Sequence, residues 1–183
     1  EGLGTQALGN NAHAEGSYAI AQGYSSHAEG RLTTAEGNYS HAQGLGTEAS
    51  GDQAHAQGQQ TRATGANSHA AGFASLASGV RSYARGRSTV ASGADSVAIG
   101  QQTTAQGLQA FSSGDQTLAS GKVSTTFGQY TTASGLRSTA MGEDVTAAGE
   151  NQLAIGEFNT LDNTTSLFVV GNGEDEDNRN DIV

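Results

Sequence analysis

Residues 26–44 read SHAEGRLTTAEGNYSHAQG, and two spacings within them decide the fold. Glycine falls at 30, 37 and 44, and histidine at 27 and 41. Both spacings persist outward from this stretch. Glycine recurs every seven residues from Gly2 to Gly156 without a gap, which accounts for 23 of the 27 glycines. Two residues before it, 20 of the 22 positions from Ala7 to Ala154 are alanine, and the exceptions are Ser112 and Thr126. Four residues before it the residue is usually Ser, Thr or Ala. The unit is x-x-[S/T/A]-x-A-x-G. All five histidines, His13, His27, His41, His55 and His69, stand fourteen residues apart in copies of the type AHAEG, SHAEG, SHAQG, AHAQG and SHAAG.

A period of seven raises the coiled coil first. Each glycine inside a helix costs about 1 kcal/mol relative to alanine. The repeat would therefore cost roughly 20 kcal/mol, more than the whole stability of an ordinary domain. The apolar seam of a coiled coil is also missing. Collagen requires glycine at every third position, so it is excluded too. A strand-and-turn unit fits. Alternate residues of a strand share a face, so the small residues four and two before glycine point inward. The variable residues three and one before it point outward. Glycines such as Gly16, Gly30, Gly44, Gly58, Gly72 and Gly100 are expected at the corners, where a backbone free of Cβ is useful. Stacked heptads make an all-β parallel roll, a solenoid in which each unit buries its small face against its neighbours.

The histidines set the coil. Three heptads per coil would scatter His13, His27 and His41 over different sides. Two heptads, fourteen residues and two short strands, stack them on one sheet. Each coil then advances ~4.8 Å, and about eleven coils give a rod of roughly 50 Å.

The two outward faces differ. From Tyr83 onward, the histidine-bearing sheet carries Tyr83, Val97, Ile99, Phe111, Phe127, Met141, Leu153 and Ile155. The matching positions of the other sheet hold only Leu76, Val90 and Leu118 as large apolar residues. The interior is already filled by alanine and small hydroxyl residues. Exposed Phe, Ile and Met therefore form an association patch, and the histidines extend it toward the N-terminus.

Composition narrows the function. The chain has 183 residues, no Cys, Pro or Trp, 34% hydrophobic residues and a net charge of −10. Such a chain could be disordered, and the strict period argues against that. The acidic balance excludes nucleic acid as a partner, since phosphate binding needs clustered Lys and Arg. No stretch is apolar enough to span a membrane, and no membrane contact by this segment is expected. The sequence starts in mid-pattern, so targeting segments are expected elsewhere.

Chemical motifs are sparse. The H-A-E triplets at His13–Glu15 and His27–Glu29 lack the P-C-x-x-C half of the zinc deaminase signature. The G-K at Gly121–Lys122 has the wrong spacing for a phosphate loop, and Gly2 with Gly4 lacks the rest of a dinucleotide fingerprint. The acidic run of residues 174–177 matches no calcium loop. Threonine pairs suggest an ice-binding face, which Glu48, Arg62, Leu76 and Val90 interrupt. The histidine row reads as packed imidazoles bonded to neighbours such as Glu15, Glu29, Gln43 and Gln57. Its sharper alternative is capture of an anion or a divalent metal. No catalytic set, cofactor or metal site is expected.

Residues 95–100 read DSVAIG and residues 151–156 read NQLAIG, with S-x-x-A-x-G spacing between them. These resemble the head repeats of trimeric autotransporter adhesins, the YadA-like family, over about residues 2–156. The SHAEG-type copies also look like those of phage and prophage tail fibres. The resemblance implies a left-handed roll and a homotrimer. The row His13, His27, His41, His55, His69, Tyr83, Val97, Ile99, Phe111, Phe127, Met141, Leu153 and Ile155 would then face the trimer axis. It implies a head over residues 1–156 and a capping or neck segment over 157–183, leading to a further C-terminal element. The implied function is a non-enzymatic, rigid head segment of an extracellular fibre on a bacterial cell surface or virion. Its partner would be a host-cell or matrix receptor, protein or glycan. A tail-fibre segment used in host recognition or as a spacer is the nearest alternative. A monomeric ligand- or ice-binding solenoid is the alternative of another class.

Overall fold

The computed structural model describes residues 2–182; Glu1 and Val183, the outer ends of the two expected segments, lie outside them. The chain forms two compact units, Glu1–Ser92 and Gly93–Val183. In the first, one sheet holds β1 (Gly2–Leu3), β3 (His13–Ser17), β5 (His27–Arg31), β7 (His41–Leu45), β9 (His55–Gln59), β11 (His69–Phe73) and β13 (Tyr83–Arg87). The other holds β2 (Gln6–Ala7), β4 (Ile20–Ala21), β6 (Thr34–Ala35), β8 (Glu48–Ala49), β10 (Arg62–Ala63), β12 (Leu76–Ala77) and β14 (Val90–Ala91). In the second unit the long strands are β15 (Val97–Gln101), β17 (Phe111–Asp115), β19 (Thr125–Gln129), β21 (Thr139–Glu143), β23 (Leu153–Glu157) and β24 (Phe168–Asn172). Its short strands are β16 (Thr104–Ala105), β18 (Leu118–Ala119), β20 (Thr132–Ala133) and β22 (Thr146–Ala147).

The strands pair in parallel throughout each unit, with one isolated antiparallel bridge between Gly171 and Asp181 near the end of the second. Each long-strand residue from β3 to β11 pairs with the one fourteen further on, as His27 does with His41 and Gly30 with Gly44. The fourteen-residue coil is therefore present. The core is as small as the repeat demands. The alanines two before glycine from Ala21 to Ala105 are 0% exposed, and so are Thr33, Thr61 and Thr89 four before it. The two breaks in the alanine rule stack on each other: Ser112 pairs with Thr126 in register. Their hydroxyls share a hydrogen bond of 2.9 Å, and Ser112 shares another of 2.7 Å with Thr117. Polar groups buried at these two sites thus satisfy one another.

The glycines do not work as expected. Gly16, Gly30, Gly44, Gly58, Gly72 and Gly100 lie inside the five-residue strands and not at corners. What fixes them is crowding along the solenoid. At Gly44, φ is 120° and a Cβ would sit 2.0 Å from the carbonyl oxygen of Gly58 one coil on. The other glycine series opens the turns. Gly23 has ordinary φ but a Cβ there would lie 2.0 Å from the carbonyl oxygen of Gly37. The left-handed conformation is taken two residues after each glycine, usually by another residue type: Leu32 at 56°, Tyr39 at 58°, Val123 at 59°. Most of these residues donate their N–H to the preceding coil, as Leu32 does to Ser17 at 2.9 Å and Tyr39 to Tyr24 at 2.8 Å. The corner thereby continues the ladder around the bend, which offsets a strain of about 1–2 kcal/mol per residue.

The heptad ends at Gly156, yet the second unit's sheet gains one more strand. β24 pairs in register with β23, Leu153 with Phe168 and Gly156 with Gly171, after a step of fifteen residues. Among the described residues the short-strand side has no such strand after β22, and side chains take its place. Asn159 accepts from the N–H of Thr146 at 2.7 Å and donates to its carbonyl at 2.9 Å, as a strand backbone would. Gln152 accepts from the N–H of Gly149 and donates to the carbonyls of Asn163 and Ser166. Arg179 reaches back to Asp144 at 2.8 Å and lies over the Phe158 ring. Asp181 accepts from the backbone of Thr160, from its hydroxyl and from Asn163. Burial works to raise the Asp181 carboxyl, and the hydrogen bonds from Thr160 and Asn163 outweigh it, so it sits below its ordinary value.

Candidate functional site

The long strands present the outward residues that the repeat leaves free. In the first unit their register places the histidines in one column. Ring centroids lie 4.9 Å apart for His13 and His27, 4.8 Å for His27 and His41, 4.8 Å for His41 and His55, and 4.7 Å for His55 and His69. Tyr83 follows His69 at 5.0 Å. These distances equal the spacing of paired strands, so register alone dictates the stack. The planes of His27 and His41 differ by 6°, whereas His13 stands at 88° to His27. His13 is held by Glu15, Nε2 to Oε2 at 3.2 Å.

Beside the column runs a second one, from the residues just before glycine: Glu15, Glu29, Gln43, Gln57, Ala71 and Arg85, each paired with the next in register. Gln43 donates to the Glu29 carboxylate at 3.2 Å. Burial penalises the cationic imidazole and holds His41, His55 and His69 below the usual histidine value. For His41 the neighbouring His55 and His27 push the same way and Glu29 opposes them. For His55 the added cause is His69, and for His69 it is Arg85. The Nε2 atoms of His27, His41 and His55 are buried and make no hydrogen bond among the described residues. A recess of 480 Å³ lies between Gln57, His69, Tyr83 and Arg85 on this face.

In the second unit the outward apolar residues form two columns and not one. Val97, Phe111 and Leu153 align three residues before glycine, with Thr125 and Thr139 between them. Ile99, Phe127, Met141 and Ile155 align just before glycine, with Ser113 after Ile99. Phe111 and Phe127 join the columns with ring centroids 5.2 Å apart. Phe127, Met141 and Leu153 are about 40% exposed on the single chain. Phe168 and Val170 of β24 add a further pair to these columns. No spacing rule in the sequence foretold them, because the heptad had already ended.

The opposite sheet is polar. Arg62 makes two hydrogen bonds to the Glu48 carboxylate, at 2.9 and 3.2 Å, across β10 and β8. This pair accounts for two of the four interruptions of the threonine face, and the Arg62 hydrogen bond is the main cause that draws the Glu48 carboxyl below its usual value. Among the described residues no helix is long and apolar enough to cross a membrane.

The model of the family described as YadA head domain repeat (2 copies) matches residues 2–26, 14–40, 49–75, 77–103, 100–124, 119–144 and 133–156. No curated protein matches the chain. Adhesins of the YadA family are trimeric, bind host surfaces and carry non-enzymatic heads exposed at the surface. Since the matches cover most of the sequence and the parallel fourteen-residue coil accounts for each repeat, the chain belongs to the YadA head domain repeat family.

Proposed function

We propose that this chain is a head segment of a homotrimeric bacterial surface adhesin that attaches to a host-cell or matrix receptor and performs no catalysis. The observation that carries the reading is the pair of apolar columns on β15 to β23. Phe127, Met141 and Leu153 stand exposed on one chain, and aligned apolar residues left exposed mark an association surface. Three copies meeting on these columns would bury them. In the first unit the column from His13 to Tyr83 would face the other copies in the same way. Residues 157–183 act in this reading as cap and neck: the side-chain bonds of Gln152, Asn159 and Arg179 close the last coil, as solenoid ends require. Joining three copies multiplies weak receptor contacts through avidity.

Absolute mass in solution, by light scattering or sedimentation across dilution, tests the reading. A mass of three chains that persists on dilution is the expected result. A one-chain mass at every concentration overturns it.

A further inference from the structure

Strands β5 and β7 bring three side chains of metal-ligating type together. His27 and Glu29 are alternate residues of β5, so they share its outward face. Register sets His41 of β7 beside His27, and Gln43 beside Glu29. The donor atoms of His27, Glu29 and His41 all lie within 4.8 Å of one another. The Nε2 atoms of both histidines are buried without a hydrogen bond among the described residues, a costly state for a polar atom. Gln43 donates to Glu29 Oε2 at 3.2 Å and orients the carboxylate, the kind of outer contact that fixes metal ligands.

We propose that His27, Glu29 and His41 form a binding site for a late first-row divalent cation, zinc foremost. Two imidazole nitrogens and one carboxylate oxygen suit that class, and water completes a tetrahedron. The neighbouring coils show why such a site occurs once among the described residues. One coil earlier, His13 is engaged by Glu15 and its ring stands at 88° to His27. One coil later, Gln43 takes the place of the carboxylate, so His41 and His55 have no anionic companion on their strands. Ligand bonds of about 2.0–2.2 Å require donors roughly 3.4 Å apart. Loading therefore draws the donors together by side-chain rotation and tilts the His27 and His41 rings out of their 6° stack. All three ligands come from one chain, so the site does not depend on the trimer.

The test is to refold the full chain with and without zinc chloride, dialyse it against metal-free buffer, and count zinc per chain by mass spectrometry. The expected result is one zinc per chain with a raised unfolding temperature. Glu29→Gln and His41→Gln should each reduce retention at least tenfold. Gln43→Leu should weaken affinity about ten- to a hundredfold, and His69→Gln should leave it unchanged. Imidazole NMR of the unaltered protein gives a readout free of folding defects, with zinc shifting His27 and His41. Zinc no higher than in Glu29→Gln, equal loss in His69→Gln, shifts spread over all five histidines, or one zinc per three chains would each overturn the site.

Discussion

At Gly44 a Cβ would lie 2.0 Å from the Gly58 carbonyl oxygen, while at Gly46, with φ of 63°, the nearest atom is a Gln60 side-chain carbon at 3.9 Å. The two glycines are two residues apart and obey different constraints. Gly44→Ala must displace backbone in the next coil, and chemical denaturation should show a loss of at least about 3 kcal/mol. Gly46→Ala meets only the left-handed backbone penalty and should cost about 1 kcal/mol. Equal losses would contradict the crowding account. Val123 shows the reverse case, a β-branched residue held at φ 59°. Its N–H donates to the Leu108 carbonyl at 2.8 Å, and this ladder bond keeps it there. The glycine period was legible in the sequence. Its cause was not, because the clash involves an atom one coil away.

The histidine column belongs to the element scale, since no single strand creates it. His41, His55 and His69 titrate below the ordinary value because burial penalises their charged forms. As pH falls the unfolded chain takes up protons first. Stability is full above about pH 6.5 and declines as pH drops from there through the lower folded values. With a chelator present, thermal unfolding should shift to lower temperature between about pH 7.5 and pH 5. The double variant His55→Gln/His69→Gln should flatten that slope, and a pH-independent midpoint in the parent protein would refute the burial account. The spacing of fourteen made the column readable from sequence. The ring angles were not readable: His13 meets the Glu15 carboxylate, whereas the His27 Nε2 makes no hydrogen bond among the described residues.

On the scale of the molecule, the proposed association face makes a prediction of its own. Phe127 is exposed on the single chain, so Phe127→Glu leaves one roll undisturbed. In the proposed trimer it removes three buried phenyl groups, on the order of 6 kcal/mol in all, and sets three carboxylates close together. Sedimentation should then report single chains with unchanged β-sheet circular dichroism. A trimeric Phe127→Glu would place the contact elsewhere. The end of the second unit resists sequence reading for a related reason. Asn159 and Gln152 replace absent backbone partners, and no periodic pattern marks a side chain that imitates a strand.

The sequence by itself determined the coil length, the all-β parallel solenoid, the inward alanine and hydroxyl positions and the apolar outward face. Each of these follows from a period, and a period is a property of order along the chain. Tertiary structure decided what depends on contacts between coils. It moved the glycines from corners into strands, gave the left-handed corners to Leu32, Tyr39 and Val123, and resolved the apolar row of the second unit into two columns. It also singled out His27, Glu29 and His41 from neighbours of nearly the same composition. Like residues at like spacing differ only through the atoms they meet, and register, ring orientation and burial fix those atoms.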